Sequence, residues 1–221
     1  LASRKIATRE VPVLFEAPLA AGLVGAFVQA VSGGALYRKA SFLDGCLGQA
    51  VLAEHLDLNE DPHQIKGKGS AMFDDEGVAT RPRKVVEAGR VLGYFLSSYS
   101  ARKLGMRTTG HAGGAHNLAL TSRLTQPRDD LEAMLRRLDR GLFVTELMGQ
   151  GVNGVTGDYS RGAAGFWVER GRIVHPVHEV TIAGNLRDML RGIVAVGADA
   201  YTSGSRTTGS VLIERMKLAG A

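Results

Sequence analysis

The chain has 221 residues, of which 44% are hydrophobic and 22% charged, and its formal net charge is +5. These values are ordinary for a soluble globular protein, and the length allows one large domain or two small ones. No apolar run approaches the roughly 18 residues that a membrane-spanning helix requires, so we expect no membrane partner.

The distribution of basic residues argues against a nucleic-acid-binding protein, and the cysteine count argues against a disulfide-bonded one. The 27 basic residues are spread thinly along the chain. Their densest clusters, residues 81–84 and residues 136–140, are not interleaved with aromatic residues, so we expect solvated surfaces and no nucleic-acid partner. Cys46 is the single cysteine. It rules out an internal disulfide and fits a reducing compartment, so we expect a cytoplasmic protein.

The first predicted elements are a strand and a buried helix. Residues 11–15 form a short apolar run that is typical of a buried strand. Pro18 stands where a helix can begin, and apolar residues then recur at i, i+4 spacing. We therefore predict a helix over residues 19–32 that ends at Gly33-Gly34. This helix is apolar or small on most sides, and it contains no His, Glu or Asp.

The next region is predicted to contain loops and one hairpin. A short amphipathic segment covers residues 43–52, and residues 53–82 are rich in turn-forming residues. Within them Asp74-Asp75-Glu76-Gly77 reads as a solvent-facing turn, the alternative being ligation of a hard cation. Alternation around Ala88-Gly89 predicts a β-hairpin over residues 83–97.

A glycine-rich polar loop follows a short helix predicted over residues 98–104. The loop, TGHAGGAHN over residues 109–117, contains His111 and His116. A spacing of i, i+5 does not place two histidines on one helical face. With Gly113-Gly114 between them they could still converge on a metal ion, and the alternatives are contact with a substrate or ordinary turn chemistry.

The second half of the chain is predicted to be mainly strands. Asp129 is the predicted N-cap of an amphipathic helix that ends at Leu138 and is closed by Gly141. The remaining predicted elements are a strand over residues 142–148, a hairpin over residues 166–174, a helix capped by Asn185 and a final strand over residues 210–218. Three or four helices among seven or more short strands predict an α+β fold with a largely antiparallel, partly barrel-like sheet.

Residues 145–167 form the most distinctive segment, since they hold six of the 29 glycines. Glycine allows positive φ and a close approach of another chain. The segment therefore predicts either short strands and bulges that present main chain, or a run of tight turns in a β region. Asp158 and Arg161 are predicted to form a structural ion pair. Ser160 could act as a nucleophile only with a base brought in by the fold.

The usual catalytic and nucleotide-binding motifs are absent from the sequence. It contains no HExxH, HExxxH, CxxC or GxSxG motif, and no GxGxxG on a predicted strand-to-helix turn. The residues alone therefore predict an α+β domain with two glycine-rich polar loops suited to holding an extended chain. Addition of a strand to an open sheet edge is the expected mode of binding.

Several segments carry a resemblance to a known family. They are SRKIATREVPVLFE, SGGALYRKASF, SSYSARKLGM, TGHAGG, VTELMGQGVNGVTGDYSRGAAGFWVE, EVTIAGNLRDM and GSVLIERMKLAG. Together they resemble the C-terminal half of the PmbA, or TldE, branch of the TldD/PmbA metalloprotease family, over nearly the whole chain.

The resemblance implies a domain, a partner and an activity. Residues 1–221 would be the C-terminal domain of a PmbA/TldE-type protein about twice this length, whose N-terminal α/β region is absent from this chain. A heterodimer with a TldD-type subunit is implied, and such a pair degrades unfolded or extended peptides and trims peptide precursors. Exposed sheet edges add a homodimer as a further expectation.

The resemblance also implies where zinc is held. TldD-type chains bind zinc with a helical HExxxH motif and a cysteine near the C-terminus. The matching helix here, residues 19–32, has no ligand, residues 203–210 have no cysteine, and Cys46 matches nothing in the motif. A catalytic zinc needs three protein ligands and an open position. We therefore expect no catalytic residue and no metal ligand in this chain, and zinc on the TldD-type partner; a site elsewhere would first involve His111 and His116.

The resulting hypothesis is a peptidase subunit that contributes part of a peptide groove. The candidate peptide contacts are Gly110, His111, Gly113, Asp158, Tyr159, Ser160 and Arg161. The alternative is a non-enzymatic adaptor or chaperone-like modulator that acts on peptides or on a toxin–antitoxin or gyrase pathway. A third reading is a metal-independent hydrolase that uses Ser160.

Overall fold

The computed structural model describes residues 8–220. Residues 1–7, which carry the start of the segment SRKIATREVPVLFE, and residue 221 lie outside the described part. The helices are α1 (Ala17–Ala30), α2 (Gly33–Tyr37), α3 (Ser98–Lys103), α4 (Leu131–Leu138) and α5 (Leu186–Arg191). The strands are β1 (Arg9–Phe15), β2 (Leu56–Asp61), β3 (Arg83–Glu87), β4 (Arg90–Val91), β5 (Asn117–Ser122), β6 (Gly141–Met148), β7 (Asp158–Glu169), β8 (Arg172–Asn185), β9 (Ile193–Val196), β10 (Tyr201–Ser203), β11 (Arg206–Thr208) and β12 (Val211–Gly220).

Five strands close into a barrel. Their order is β1-β6-β7-β8-β12, and β12 pairs back with β1, while β9 extends the sheet beyond β12. All of these pairings are antiparallel except that of β1 with β6. The long β7–β8 hairpin turns at Arg170-Gly171, where both residues have positive φ, as a two-residue hairpin turn requires. The predicted α+β class with a largely antiparallel, partly barrel-like sheet is confirmed.

A second sheet has the order β10-β11-β5-β2-β3-β4, with one parallel pairing between β11 and β5. Its central strand β2 lies in the stretch 53–82 that was predicted to be loop, and that prediction is wrong there. The error arose because Asp57, Asn59, Glu60 and Asp61 make β2 polar, although Leu56 and Leu58 alternate with them and are buried.

Helix α1 joins the two sheets into one core. Leu23 and Phe27 lie against Leu58 of the second sheet and Ile193 of the barrel sheet. The helix ends at Ala30 and not at Gly33-Gly34, which instead begins α2. At Gly33 a Cβ would overlap the Ser100 side chain, so this glycine allows α2 and α3 to pack closely.

The barrel sheet is covered on its other face by α4. Successive residues of β1 point to opposite faces: Val13 and Phe15 belong to the core shared with α1, whereas Leu14 packs with Met134 and Leu138 of α4. The predicted amphipathic stripe of this helix is therefore confirmed.

The structure corrects several element boundaries. Asp130, and not Asp129, caps α4 by accepting a hydrogen bond from the Ala133 N–H at 2.9 Å, while Asp129 is buried and pairs with Arg137. Gly141 does not close α4 but begins β6. The amphipathic segment 43–52 forms turns, and five helices are described where three or four were predicted.

Gly165 tests how closely β6 and β7 approach. A Cβ at this residue would overlap the main-chain carbonyl of Phe143, an atom of the neighbouring strand that cannot move away independently. We expect Gly165→Ala to lower the free energy of unfolding by about 1–3 kcal/mol, measured by urea denaturation. Gly22→Ala is the control, since a Cβ there meets nothing within 4 Å among the described residues and a helix favours alanine by up to about 1 kcal/mol. Equal stability of the two variants would contradict the close approach.

Candidate functional site

A cleft of about 530 Å³ opens beside the C-terminal end of α1. One wall is the end of α1 and the start of α2, and the facing wall is the loop that precedes β5. Tyr37 of α2 and Tyr99 of α3 lie at its rim. Their rings pack edge to face, with centroids 5.7 Å apart. The lining residues are Val28, Gln29, Ser32, Gly33, Gly34, Tyr37, Phe95, Ser97, Tyr99, Ser100, His111, Ala112, Gly113, Gly114, Ala115, Ser205 and Arg206.

Part of the predicted peptide-contact set lies at this cleft. His111 and Gly113 line it, and Gly110 lies at the base of the same loop. Gly110, Gly113 and Gly114 have backbone φ values of 75°, 97° and 117°, which residues other than glycine rarely adopt. The loop therefore turns sharply and presents main chain to the cleft over Gly113 and Gly114.

The acidic turn at residues 74–77 holds this loop in place. Asp74 accepts hydrogen bonds from the Glu76 and Val78 N–H groups through Oδ1 and from the Ala112 N–H through Oδ2. Burial alone would raise the pKa of Asp74, but these backbone donors lower it. The turn is thus only partly solvent-facing, because Asp74 is buried while its neighbours Asp75 and Glu76 are exposed.

The rest of the predicted set lies apart from the cleft, at the start of β7. Residues 158–161 pair with β8 on one side. On the other side the Ser160 N–H donates to the Gly151 carbonyl at 2.7 Å, and the Asn153 N–H donates to the Asp158 carbonyl at 2.8 Å. The main chain of residues 158–160 is therefore paired on both sides, so an added peptide strand would have to displace residues 151–153.

Side chains in this segment do not form the predicted ion pair. Residues three apart on a strand point to opposite faces; Asp158 accepts from Thr156 at 2.8 Å, while Arg161 donates to the Gly149 carbonyl at 2.8 Å. Burial raises the pKa of Tyr159 to about 12. Within residues 8–220 no histidine or carboxylate hydrogen-bonds the Ser160 hydroxyl, so that part of the chain offers Ser160 no activating base.

Behind the cleft wall lies a buried carboxylate that sequence analysis missed. Glu60, on β2, has no exposed side-chain surface. Its Oε2 accepts from Arg83 Nε at 2.7 Å and from His111 Nε2 at 2.9 Å, and its Oε1 accepts from the His116 N–H at 2.8 Å. Because its Nε2 donates to Glu60, the neutral ring of His111 accepts at Nδ1 from the Thr109 hydroxyl, 2.8 Å away. The signal available in the sequence was an acid at an inward position of the pattern Leu56, Leu58, Glu60.

Glu60, Arg83 and His111 form a largely buried cluster, and this environment shifts the pKa of Glu60 and of His111. Burial alone would raise the pKa of Glu60, but the hydrogen bond from His111 and the charge of Arg83 lower it to about 2. Burial lowers the pKa of His111 below its ordinary value, and the neighbouring Arg83 charge acts in the same direction against the hydrogen bond to Glu60. The cluster therefore consists of an ionised carboxylate, a guanidinium and a neutral imidazole at neutral pH.

Glu60, His111 and His116 were tested as a metal site, since their donor atoms all lie within 4.8 Å of one another. Arg83 Nη2 lies only 3.3 Å from His111 Nε2, so a metal ion there would meet a guanidinium. The ring nitrogens of His116 lie 3.2 Å from the Gly69 carbonyl and 3.1 Å from the Gly110 carbonyl. The ring nitrogens of His116 thus both face main-chain oxygens, and the Arg83 guanidinium adjoins His111, so this set does not fit a zinc ion.

The helix and hairpin that the resemblance relates to a zinc site do not fit one either. Helix α1 offers no ligand side chain, and β10–β11 lies against it with Arg206. A Cβ built on Gly25 would lie 2.6 Å from Arg206 Nη1. A guanidinium therefore packs directly on the bare main chain of α1, and its positive charge opposes binding of a cation there.

Comparison with known proteins gives a consistent result. Residues 8–220 match the family model described as the PmbA/TldA metallopeptidase C-terminal domain. The metalloprotease PmbA of Escherichia coli O157:H7 is 51% identical over 220 residues, which cover 100% of this chain and 48% of the relative.

Two solved structures share the fold. A protein of Bacteroides thetaiotaomicron described as a putative modulator of DNA gyrase superposes with a TM-score of 0.92 at 29% identity, covering 100% of this chain and 49% of the other. TldE from Thermococcus kodakarensis superposes with a TM-score of 0.83 at 26% identity, covering 99% and 52%. The chain thus spans about half the length of the proteins that it matches.

Because Glu60 is buried and ionised, we expect the folded state to lose stability in acid. The folded-state pKa of Glu60, about 2, lies below its ordinary value of 4.5, so the unfolded chain binds more protons and stability is lost as the pH falls from 4.5 toward 2. The lowered pKa of His111 adds a loss that begins below its ordinary value of 6.5. The Glu60 contribution at pH 7 is roughly 3 kcal/mol.

We expect Glu60→Gln to be less stable than the unmodified protein at pH 7, because Arg83 loses its buried partner. The variant should also show a shallower fall in unfolding free energy between pH 4.5 and pH 3, measured by urea denaturation. Glu214→Gln, at an exposed glutamate, is the control and should change neither quantity. An unchanged pH slope in Glu60→Gln would show that this carboxylate is not the acid-sensitive group.

Proposed function

This chain belongs to the PmbA/TldA metallopeptidase family and forms its C-terminal domain, and on that premise we propose that it is part of the zinc-free subunit of a two-subunit peptidase. The other subunit would be a TldD-type chain that holds the catalytic zinc. The substrates would be unfolded or extended peptides, including precursors that the pair trims. A cytoplasmic location is part of the proposal, on the ground of the single cysteine, and so is a homodimer in the absence of the partner.

The observation that carries the proposal is a cleft with main chain on one wall and, among residues 8–220, no set of metal ligands that is free of other contacts. Its volume of about 530 Å³ is in the range of ligand-binding pockets, about 300–1,000 Å³. Gly113 and Gly114 expose backbone to it, and hydrogen bonds to main chain bind extended peptides with little demand on their sequence. The Arg83 guanidinium beside His111 and the Arg206 guanidinium on Gly25 support the zinc-free assignment.

In the proposed two-subunit peptidase, the described residues of this chain bind the peptide and carry out no chemical step. Gly113, Gly114 and the tyrosines at the rim hold the peptide. Glu60 fixes the loop that carries His111, so that the wall keeps its shape when the cleft is filled. Activation of water would belong to the zinc of the TldD-type subunit.

A non-enzymatic modulator that binds peptides or acts on a gyrase pathway is the second candidate. It is favoured by the description of the Bacteroides thetaiotaomicron protein as a putative modulator of DNA gyrase. A peptidase assay with and without a TldD-type subunit separates the two candidates, because a modulator would bind peptide without increasing its cleavage.

Zinc content tests the zinc-free assignment directly. We expect elemental analysis of the full-length protein that contains this domain to find no stoichiometric zinc, and the complex with a TldD-type subunit to hold about one zinc per pair. Cleavage of an unfolded peptide should require both subunits and be abolished by a chelator. Stoichiometric zinc on this protein alone would overturn the assignment, and His111 and His116 would then be the first residues to replace.

Two tyrosines of nearly equal exposure test the location of the peptide. Tyr99 is 51% exposed and lies at the cleft, and Tyr201 is 53% exposed and is not among the cleft residues. We expect Tyr99→Ala to raise the KM of the pair for an unfolded peptide by about five-fold, which corresponds to about 1 kcal/mol of lost contact. Tyr201→Ala should leave KM unchanged. Equal effects of the two substitutions would mean that the peptide does not lie in this cleft.

A further inference from the structure

Arg206 places a positive charge inside the cleft. It is the first residue of β11, which pairs in parallel with β5 through Leu118. Its half-buried side chain reaches back over α1, where the guanidinium lies flat on Gly25: a Cβ there would be 2.6 Å from Nη1, 2.9 Å from Cζ and 3.3 Å from Nη2. The bare main chain of Gly25 therefore fixes where this cation lies.

The charge has no counterpart in the described part of the chain. None of the ion pairs formed within residues 8–220 includes Arg206, and no hydrogen bond from its guanidinium to those residues is formed. Helix α1, against which it packs, has no charged residue over Ala17–Ala30. By contrast Arg83, whose Nη2 lies 3.3 Å from Nε2 of the cleft residue His111, is paired with Glu60.

None of the residues that line the cleft is an acid; the nearby carboxylate of Asp75 lies against Gly113, from outside the lining. Arg206 is the one side chain with a full charge among the lining residues, since the lowered pKa of His111 leaves that ring neutral. The other polar groups near it are hydroxyls, among them Ser205, which directly precedes it. A half-buried guanidinium beside hydroxyl groups favours an anion, and its planar fork of N–H donors matches both oxygens of a carboxylate.

We propose that Arg206 binds a carboxylate of the peptide that occupies the cleft, and that Gly25 is the residue that positions it. This inference rests on the proposed function, because it assumes that the cleft holds peptide. Two sources supply the same chemistry: the C-terminal carboxylate of the peptide, or the side chain of an aspartate or glutamate within it. In either case Arg206 determines which peptides, or which register of a peptide, bind well.

The test uses the full-length protein that contains this domain, in complex with a TldD-type subunit and with zinc removed by a chelator so that no peptide is cleaved. Three fluorescein-labelled ten-residue peptides of one neutral sequence serve as probes. The first has a single internal glutamate and an amidated C-terminus, the second has glutamine in its place, and the third has that glutamine and a free C-terminal carboxylate. Dissociation constants are measured by fluorescence anisotropy.

We expect one of the two carboxylate peptides to bind at least about ten-fold more tightly than the neutral peptide, as a charge-assisted hydrogen bond predicts. The tighter one identifies the source of the carboxylate. Arg206→Gln should remove this preference without weakening binding of the neutral peptide, and Arg206→Lys should restore part of it. Arg172→Gln, the same change at an exposed arginine outside the cleft, should keep the preference.

A second variant leaves the charge in place and moves it. In Gly25→Ala the new Cβ would displace the Arg206 guanidinium, so the preference for carboxylate should fall while the helix, which favours alanine, remains folded. Gly22→Ala adds the same methyl group on α1 where it meets nothing within 4 Å among the described residues, and it should keep the preference.

The outcomes separate this inference from the proposed function. Equal binding of the three peptides, an equal loss for all of them in Arg206→Gln, or no binding of any peptide would overturn the role of Arg206. If the carboxylate preference is found but the zinc-loaded pair cleaves no peptide, the role of Arg206 stands and the peptidase assignment fails.

Discussion

The cleft depends on one buried carboxylate. Glu60 joins three parts of the chain that are distant in sequence: its own strand β2, Arg83 on β3, and the loop of His111 and His116. Arg83 also donates to the Tyr94 carbonyl at 2.8 Å and lies over the Phe95 ring, 4.7 Å from its centroid. Because an unpaired charge in such a place costs several kcal/mol, the charges and the loop hold one another in a single arrangement.

That arrangement also explains why a cluster rich in potential ligands is structural. A metal site needs donor atoms that are free and directed to one point, whereas here each donor atom of Glu60, His111 and His116 already faces a protein partner. Arg83 and Arg206 differ in whether they have a counterpart. Arg83 is paired and stabilises the wall; Arg206 is unpaired among the described residues and faces the space that a ligand would fill.

The barrel gives the glycine-rich stretch a packing role. Gly151 and Gly165 each lie where a Cβ would overlap a main-chain carbonyl of an adjacent segment, at Ser160 and Phe143 respectively. These glycines let β6 approach β7 closely and let the loop of residues 151–153 return close to β7. The main chain of residues 158–160 is hydrogen-bonded to that loop and to β8, so it is not free to bind another chain. The main chain of Gly113 and Gly114, by contrast, is exposed at the cleft.

By itself the sequence determined the features that depend on neighbours along the chain: helix α1 from its apolar spacing, the β7–β8 hairpin from its turn residues, and the α+β class from the succession of short strands. The sequence also showed directly that the HExxxH motif is missing, and several whole segments of it indicated the family. Only the tertiary structure decided that β2 is a central strand despite its polar residues, because burial of Leu56 and Leu58 outweighs local composition. Likewise Glu60 meets Arg83 and His111 across separations of 23 and 51 residues, and Arg206 of β11 meets Gly25 of α1 from the other end of the chain. Contacts of this range depend on how the sheets pack on α1, and no local pattern encodes them.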